Sequence, residues 1–73
     1  MAGWGDDPAL EELRRLMFED GWEPVSATIG SGPQAVDTVV VRKGDDTRSF
    51  TSEHIAFHRF VEGLREDNPA LPS

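Results

Sequence analysis

A run of β-branched residues in the middle of the chain constrains the fold more than any other feature. Residues 36–42 read Val-Asp-Thr-Val-Val-Val-Arg, and such residues favour extended structure. Both alternating faces of this run, Val39/Val41 and Val36/Val40, are fairly apolar. A strand that is apolar on both faces suits the centre of a sheet better than its edge. The sequence therefore predicts a central strand with a neighbour on each side.

The two neighbours are predicted on either side of this run. Residues 22–29 alternate, with Val25, Ala27 and Ile29 on one face, which is typical of a half-buried strand. Pro24 favours an edge position, because proline cannot donate to a sheet ladder. After a Gly-Asp-Asp turn at residues 44–46, residues 47–51 return as a short strand with Phe50 pointing inward.

Two amphipathic helices are predicted at the ends of the chain. The first covers residues 8–20, with Asp7 as its cap and Gly21 at its end. The second begins at Thr51 or Ser52 and ends before proline 69. Helical spacing places the apolar side chains of each helix on one stripe. These side chains are Leu10, Leu13, Leu16 and Met17 in the first helix, and Phe57, Phe60, Val61 and Leu64 in the second.

The order of elements predicts an α+β fold, α-β-β-β-α, in which a three-stranded antiparallel sheet carries two helices packed on one face. Short connections between consecutive strands favour hairpins, and the helices share a face because each has one apolar stripe to bury. We expect a single domain at residues 8–67, with flexible tails at residues 1–7 and 68–73.

Composition narrows the functional classes. The chain has no cysteine and a formal net charge of −7, so we expect a cytoplasmic protein that neither binds a membrane nor is attracted to phosphate backbones as a whole. The N-terminus lacks the features of a signal peptide, and no apolar stretch has the length of a membrane span. The net charge therefore disfavours nucleic acid as a partner of the molecule as a whole.

Catalysis and metal binding find little support in the motifs. The Gly-Ser-Gly segment at residues 30–32 lacks the lysine of a phosphate-binding loop. His54 and His58 lie on one side of the second helix, with Glu62 continuing the row. A structural zinc site needs four ligands, however, and no other strong ligand is evident. We expect no catalytic residue, no metal and no cofactor.

A basic cluster at Arg42, Lys43 and Arg48 surrounds the predicted turn and is the alternative candidate for a nucleic-acid contact. The element order resembles that of double-stranded-RNA-binding domains. In those domains the last helix has a basic start, whereas this chain has Ser52, Glu53 and His54 at that place. The resemblance therefore extends to the order of elements and not to the function. A further alternative is an acidic mimic that binds a basic partner.

Residues 39–65 are also somewhat similar to the C-terminal half of small actinobacterial domains related to the developmental regulator BldB. In both, a Val-Arg strand is followed by a turn, a Phe-Thr strand and a helix with spaced phenylalanines. The similarity covers about a third of the chain, and its motifs are common to any hairpin that leads into a helix. It therefore assigns no family.

Apolar residues that the predicted core does not need point to a protein partner. We expect Trp22, Val36 and Val40 to line the uncovered face of the sheet, and Ile55 and Arg59 to lie on the flank of the second helix. Trp4 and the mid-helix Gly63 are further unexplained features. An exposed apolar face in so short a chain favours protein binding or self-association. The sequence therefore predicts a small non-enzymatic interaction or regulatory module that binds either a protein partner or a second copy of itself, as a homodimer.

Overall fold

The computed structural model describes residues 7–30 and 35–71 and shows the expected α+β architecture. The elements are α1 (Pro8–Glu19), β1 (Glu23–Thr28), β2 (Asp37–Lys43), β3 (Asp46–Ser52) and α2 (Ile55–Asp67). Parts of the predicted tails lie outside the described residues, namely residues 1–6 with Trp4 and residues 72–73, and so do residues 31–34 between β1 and β2.

The sheet is antiparallel in the order β1-β2-β3, so the valine-rich strand is central, as predicted. The register between β2 and β3 is regular from Asp37↔Ser52 to Lys43↔Asp46. A two-residue loop joins these strands, and its first residue, Gly44, has a φ of +62°. This conformation is the reason for a glycine there, because a type II′ turn needs a positive φ at its first central position.

Strand β1 contains a bulge that the sequence pattern did not predict. Pro24 lies opposite Val41 and Ser26 lies opposite Val40, so Val25 is an extra residue in the ladder. The bulge reverses the alternation, and the predicted face of Val25, Ala27 and Ile29 is therefore wrong. Of these residues only Ala27 is fully buried, and Ile29 lies beyond the strand and is exposed.

The core lies between one face of the sheet and both helices, which confirms the predicted layer arrangement. The side chains that form it come from all the predicted apolar stripes. They are Leu10 and Leu13 from α1, Ala27 from β1, Val39 and Val41 from β2, and Phe57 and Val61 from α2. Phe50 packs against this cluster, as predicted. In the part of the chain that is described, neither helix is long and apolar enough to cross a membrane.

A serine hydroxyl joins the starts of both helices to the end of β3. Ser52 Oγ donates to Asp7 Oδ2 (2.9 Å) and accepts from the His54 amide (3.1 Å). Asp7 Oδ1 accepts from the Ala9 amide, so the predicted cap of α1 is confirmed. Asp7 is also buried and belongs to the folded domain, not to the predicted tail.

The cap of α2 is His54 and not Thr51 or Ser52. His54 Nδ1 accepts a hydrogen bond from the Ala56 amide (3.1 Å), and the helix begins at Ile55. The prediction was wrong because β3 continues through Ser52, whose hydroxyl is already shared with Asp7. At the other end of the chain, Leu71 packs against the core, so the predicted tail at residues 68–73 is partly folded.

Gly30 tests how closely the chain packs where it leaves β1. A Cβ added at this position would collide with the backbone carbonyl and amide of Val36. We expect Gly30→Ala to lower the free energy of unfolding by about 1–3 kcal/mol, because the backbone must move to relieve the overlap. Denaturant titration of the two proteins measures the difference, and an unchanged midpoint would contradict this close approach.

Candidate interaction surface

The face of the sheet that the helices leave uncovered is rich in hydroxyl groups. Alternation along the strands, taken with the register, places these side chains there: Ser26, Thr28, Thr38, Thr47, Ser49 and Thr51. Val40 lies among them, half-buried between Ser26 and Ser49. Threonine suits an exposed strand through its β-branched shape. This face therefore offers little of the apolar surface expected from the sequence.

Trp22 does not lie on the uncovered face with Val40, which corrects the predicted grouping. Its side chain packs against the core, and the guanidinium of Arg48 lies 5.8 Å from its ring centroid. Arg48 is on the helix side of β3, where it bonds Glu12 of α1 at 3.1 Å. The cause is the end of α1: Gly21 has a φ of +79°, and the Trp22 amide returns to the Leu16 carbonyl.

The other predicted partner-binding residues are scattered. Val36 is half-buried just before β2, and its backbone faces Gly30. Ile55 is the first residue of α2, and 61% of its surface is exposed. Arg59 is exposed on the same helix, but it lies beside Phe60. The structure therefore does not bring these residues together with Val40 into one surface.

The predicted basic cluster is also divided. Arg42 lies opposite Glu23 and Thr47 on the uncovered face, whereas Lys43 and Arg48 alternate onto the helix side. Arg48 is engaged by Glu12 through an exposed ion pair. A nucleic-acid backbone is bound best by several cations on one surface, and this hairpin presents its three cations on two faces.

The largest apolar exposure in the described residues lies on the outer side of the two helices. Phe18 of α1 is 68% exposed, and its ring meets the ring of Phe60 of α2 edge to face, with centroids 6.5 Å apart. Around this pair lies a groove of about 480 Å³ between the helices. Its lining is mainly apolar and comes from Met17, Phe18, Pro24, Phe60, Gly63 and Leu64, with Arg59, Asp67 and Asn68 as its polar residues. We call this the Phe18–Phe60 groove.

Sequence reasoning missed Phe18 because it follows the apolar stripe of α1 without belonging to it. At about 100° per residue, Phe18 is displaced from Met17 toward the side that faces α2. A large aromatic residue just outside a buried stripe was the available signal. The sequence pattern of α1 does not predict the position of α2, which places the Phe60 ring next to that of Phe18.

Gly63 lines the groove without a side chain. It lies in the interior of α2, where glycine is about 1 kcal/mol less favourable than alanine. A Cβ at this position would meet no atom of the described chain within 4 Å. Packing inside the domain therefore does not require a glycine here. Its absence of a side chain leaves the helix backbone accessible from the groove.

Charged groups of both signs lie along the rim. Arg59 and Asp67 line the groove from α2. The Arg14 guanidinium lies 5.6 Å from the Phe18 ring centroid, and a smaller hollow of about 260 Å³ lies between Arg14, Arg59 and Phe60. A larger hollow, about 620 Å³, runs along α1, but charged side chains form most of its wall. Among these hollows, the Phe18–Phe60 groove is thus the larger of the two whose lining is mainly apolar.

His58 belongs to a polar clamp at the other side of α2. Its Nδ1 donates to Oδ2 of the buried Asp37 (2.7 Å), and its Nε2 lies 3.4 Å from Glu62 Oε2. Asp37 Oδ1 accepts from the Gly30 amide (2.9 Å). The clamp therefore holds α2, the start of β2 and the end of β1 together. Within residues 7–30 and 35–71, no three His, Asp or Glu side chains are placed to hold a metal ion.

No family model matches the chain, and neither does any curated protein or solved structure.

The polar clamp predicts a contrast between two acidic residues. Asp37→Ala leaves the Gly30 amide and His58 without their acceptor, and we expect a loss of about 1–3 kcal/mol in the free energy of unfolding. Glu62→Gln alters an exposed carboxylate, and we expect a change below about 0.5 kcal/mol. Thermal or denaturant unfolding of both variants makes the comparison, and equal losses would refute the clamp.

Proposed function

We propose that this chain is a small, non-enzymatic and cytoplasmic protein-interaction module that binds a protein partner in the Phe18–Phe60 groove. The observation that carries the proposal is the exposure of Phe18 beside Phe60 on a surface that no element of the described chain covers. Aromatic residues in such positions provide much of the energy of protein interfaces, because they bury a large rigid surface on binding.

The shape of the groove favours an amphipathic helix as the partner. The groove lies between two helices, and its lining is mainly apolar. A third helix can place an apolar stripe in such a groove, as in the helix-in-groove mode of recognition. Gly63 allows the backbone of that helix to approach closely, since no Cβ stands in the way. Arg59 and Asp67 at the rim can each pair with an opposite charge on the flanks of that helix.

The histidines support a structural interpretation. A general base needs a nitrogen within reach of a substrate proton. His54 Nδ1 is occupied as the cap of α2, and both ring nitrogens of His58 face carboxylates. His54 therefore caps α2, and His58 holds α2 on the sheet through Asp37. We accordingly propose no catalytic residue in this module.

Site-specific photocrosslinking tests the groove. A benzophenone amino acid at position 18 should capture a partner in cells of the native host, and the purified partner should bind the unmodified chain. Phe18→Ala should then weaken that binding by about tenfold or more, because an aromatic anchor loses its buried area.

Ile55→Ala is the matched control, because Ile55 is exposed to a similar degree (61%) and lies outside the groove. It should leave the affinity unchanged within about twofold. A photocrosslinker at Thr28 samples the uncovered sheet face in the same way, away from the β3 edge. Capture from position 28 and not from position 18, or a larger effect of Ile55→Ala than of Phe18→Ala, would refute the groove.

Gly63→Ala separates stability from binding. We expect the free energy of unfolding to rise by up to about 1 kcal/mol, since the new methyl group meets open space and alanine favours the helix. We expect the affinity for the captured partner to fall, because Gly63 lines the groove and the methyl group takes space from the partner. Calorimetric unfolding and titration of the partner measure the two effects. Unchanged affinity would show that no backbone approaches Gly63.

A further inference from the structure

The two edges of the sheet are built differently, and the edge of β1 is closed in several ways. Pro24 lacks an amide proton, and the bulge at Val25 breaks the regular ladder. The guanidinium of Arg65 donates to the carbonyl of Ala27, so a side chain of α2 occupies an acceptor on this strand. Proline, bulges and covering side chains are common ways in which proteins prevent further strand pairing.

The edge of β3 has none of these features along Asp46–Ser52. Its register with β2 is regular over the whole strand, and most of its residues are exposed. Lys43 and Asp46 flank a two-residue loop and thus form a hydrogen-bonded pair, after which the pairs alternate. This alternation points the amides and carbonyls of Thr47, Ser49 and Thr51 away from β2.

The same alternation explains the contact on the opposite edge. The amide and carbonyl of Val39 point toward Phe50 of β3. Those of Ala27, which lies opposite Val39 on β1, therefore point away from β2, and Arg65 donates to that outward carbonyl. In the described residues, no hydrogen bond meets the corresponding outward groups of Thr47, Ser49 and Thr51. The β3 edge is therefore a row of backbone donors and acceptors ready for another strand.

We propose that β3 pairs antiparallel with β3 of a second copy of this chain, with Ser49 opposite Ser49 on a two-fold axis. Thr47 of each copy then faces Thr51 of the other, and each such pair exchanges two backbone hydrogen bonds. The axis is perpendicular to the sheet. The two sheets become one, and the helices of both copies lie on the same side of it.

The side chains favour a second copy in this register. Arg48 lies opposite Phe50, and Asp46 lies opposite Ser52, so no like charges face each other. A shift that puts Thr47 opposite Ser49 would instead place Arg48 against Arg48, which is unfavourable. The centred register is also the one that pairs the strand along its whole length. The edge is thus complementary to itself.

Net charge gives the association a characteristic salt dependence. Each copy has a formal charge of −7, so two copies repel at long range. Salt screens this repulsion, whereas the strength of the backbone hydrogen bonds at the edge depends little on the salt concentration. We therefore expect the dimer to become tighter as the salt concentration rises, the opposite of what charge-driven binding would show.

Analytical ultracentrifugation of the full chain tests the proposal. The wild type should shift from monomer to dimer with concentration, and more readily at high salt. Ser49→Pro removes the central outward amide and should raise the dissociation constant by about tenfold or more, whereas Ser49→Ala keeps the amide and should match the wild type. Circular dichroism verifies that both variants are folded. A wild type that stays monomeric, or a folded Ser49→Pro variant that dimerises equally well, would overturn the pairing.

A disulfide experiment tests the register without disturbing the strand. The chain has no cysteine, so Ser49→Cys introduces a single thiol. Opposed residues in a hydrogen-bonded pair lie about 5.5 Å apart between Cα atoms, within the range that a disulfide spans. Mild oxidation should therefore cross-link Ser49→Cys faster than Thr28→Cys, an exposed position on β1. Equal rates would overturn the proposed axis, even if some dimer formed.

Discussion

Burial of Val39 and Val41 on one face of β2 is the constraint on which the rest of the molecule depends. Both side chains are fully buried, and the apolar stripes of α1 and α2 meet over them. A chain of this length has apolar residues for one core and not for two. Because both helices are used on that face, the opposite face of the sheet meets solvent. Its threonines and serines are then consistent with its exposure.

Polar contacts fix how the helices lie on this core. Ser52 and Asp7 connect the start of α1 to the end of β3, and Asp37 and His58 connect α2 to β2. Both aspartates are buried, and each has the partners that a buried carboxylate needs. Hydrophobic burial alone would allow the helices to slide. These directional bonds make one placement preferable and thereby determine the groove between the helices.

The two proposed surfaces differ in the physics of recognition. The Phe18–Phe60 groove offers aromatic area and an accessible helix backbone at Gly63, so affinity there depends on side-chain burial. The β3 edge offers backbone hydrogen bonds, so affinity there depends on register and on an unbroken strand. The surfaces lie on different parts of the domain, and a dimer through β3 would present two grooves on the same side of the joined sheet.

The sequence by itself determined the type and order of the elements and the buried faces of α1, β2 and α2, because period and capping are local properties. Asp7, Gly21 and the valines of β2 acted as the pattern predicted. The tertiary structure decided the contacts between residues that are far apart in the sequence. Phe18 of α1 contacts Phe60 of α2, and Asp37 bonds His58, which is 21 residues away. Likewise Trp22 turned to the helix side, since the end of α1 and the bulge at Val25 set the strand's entry and twist. Such contacts depend on how the elements pack against one another, and the periodicity of a single element does not predict that packing.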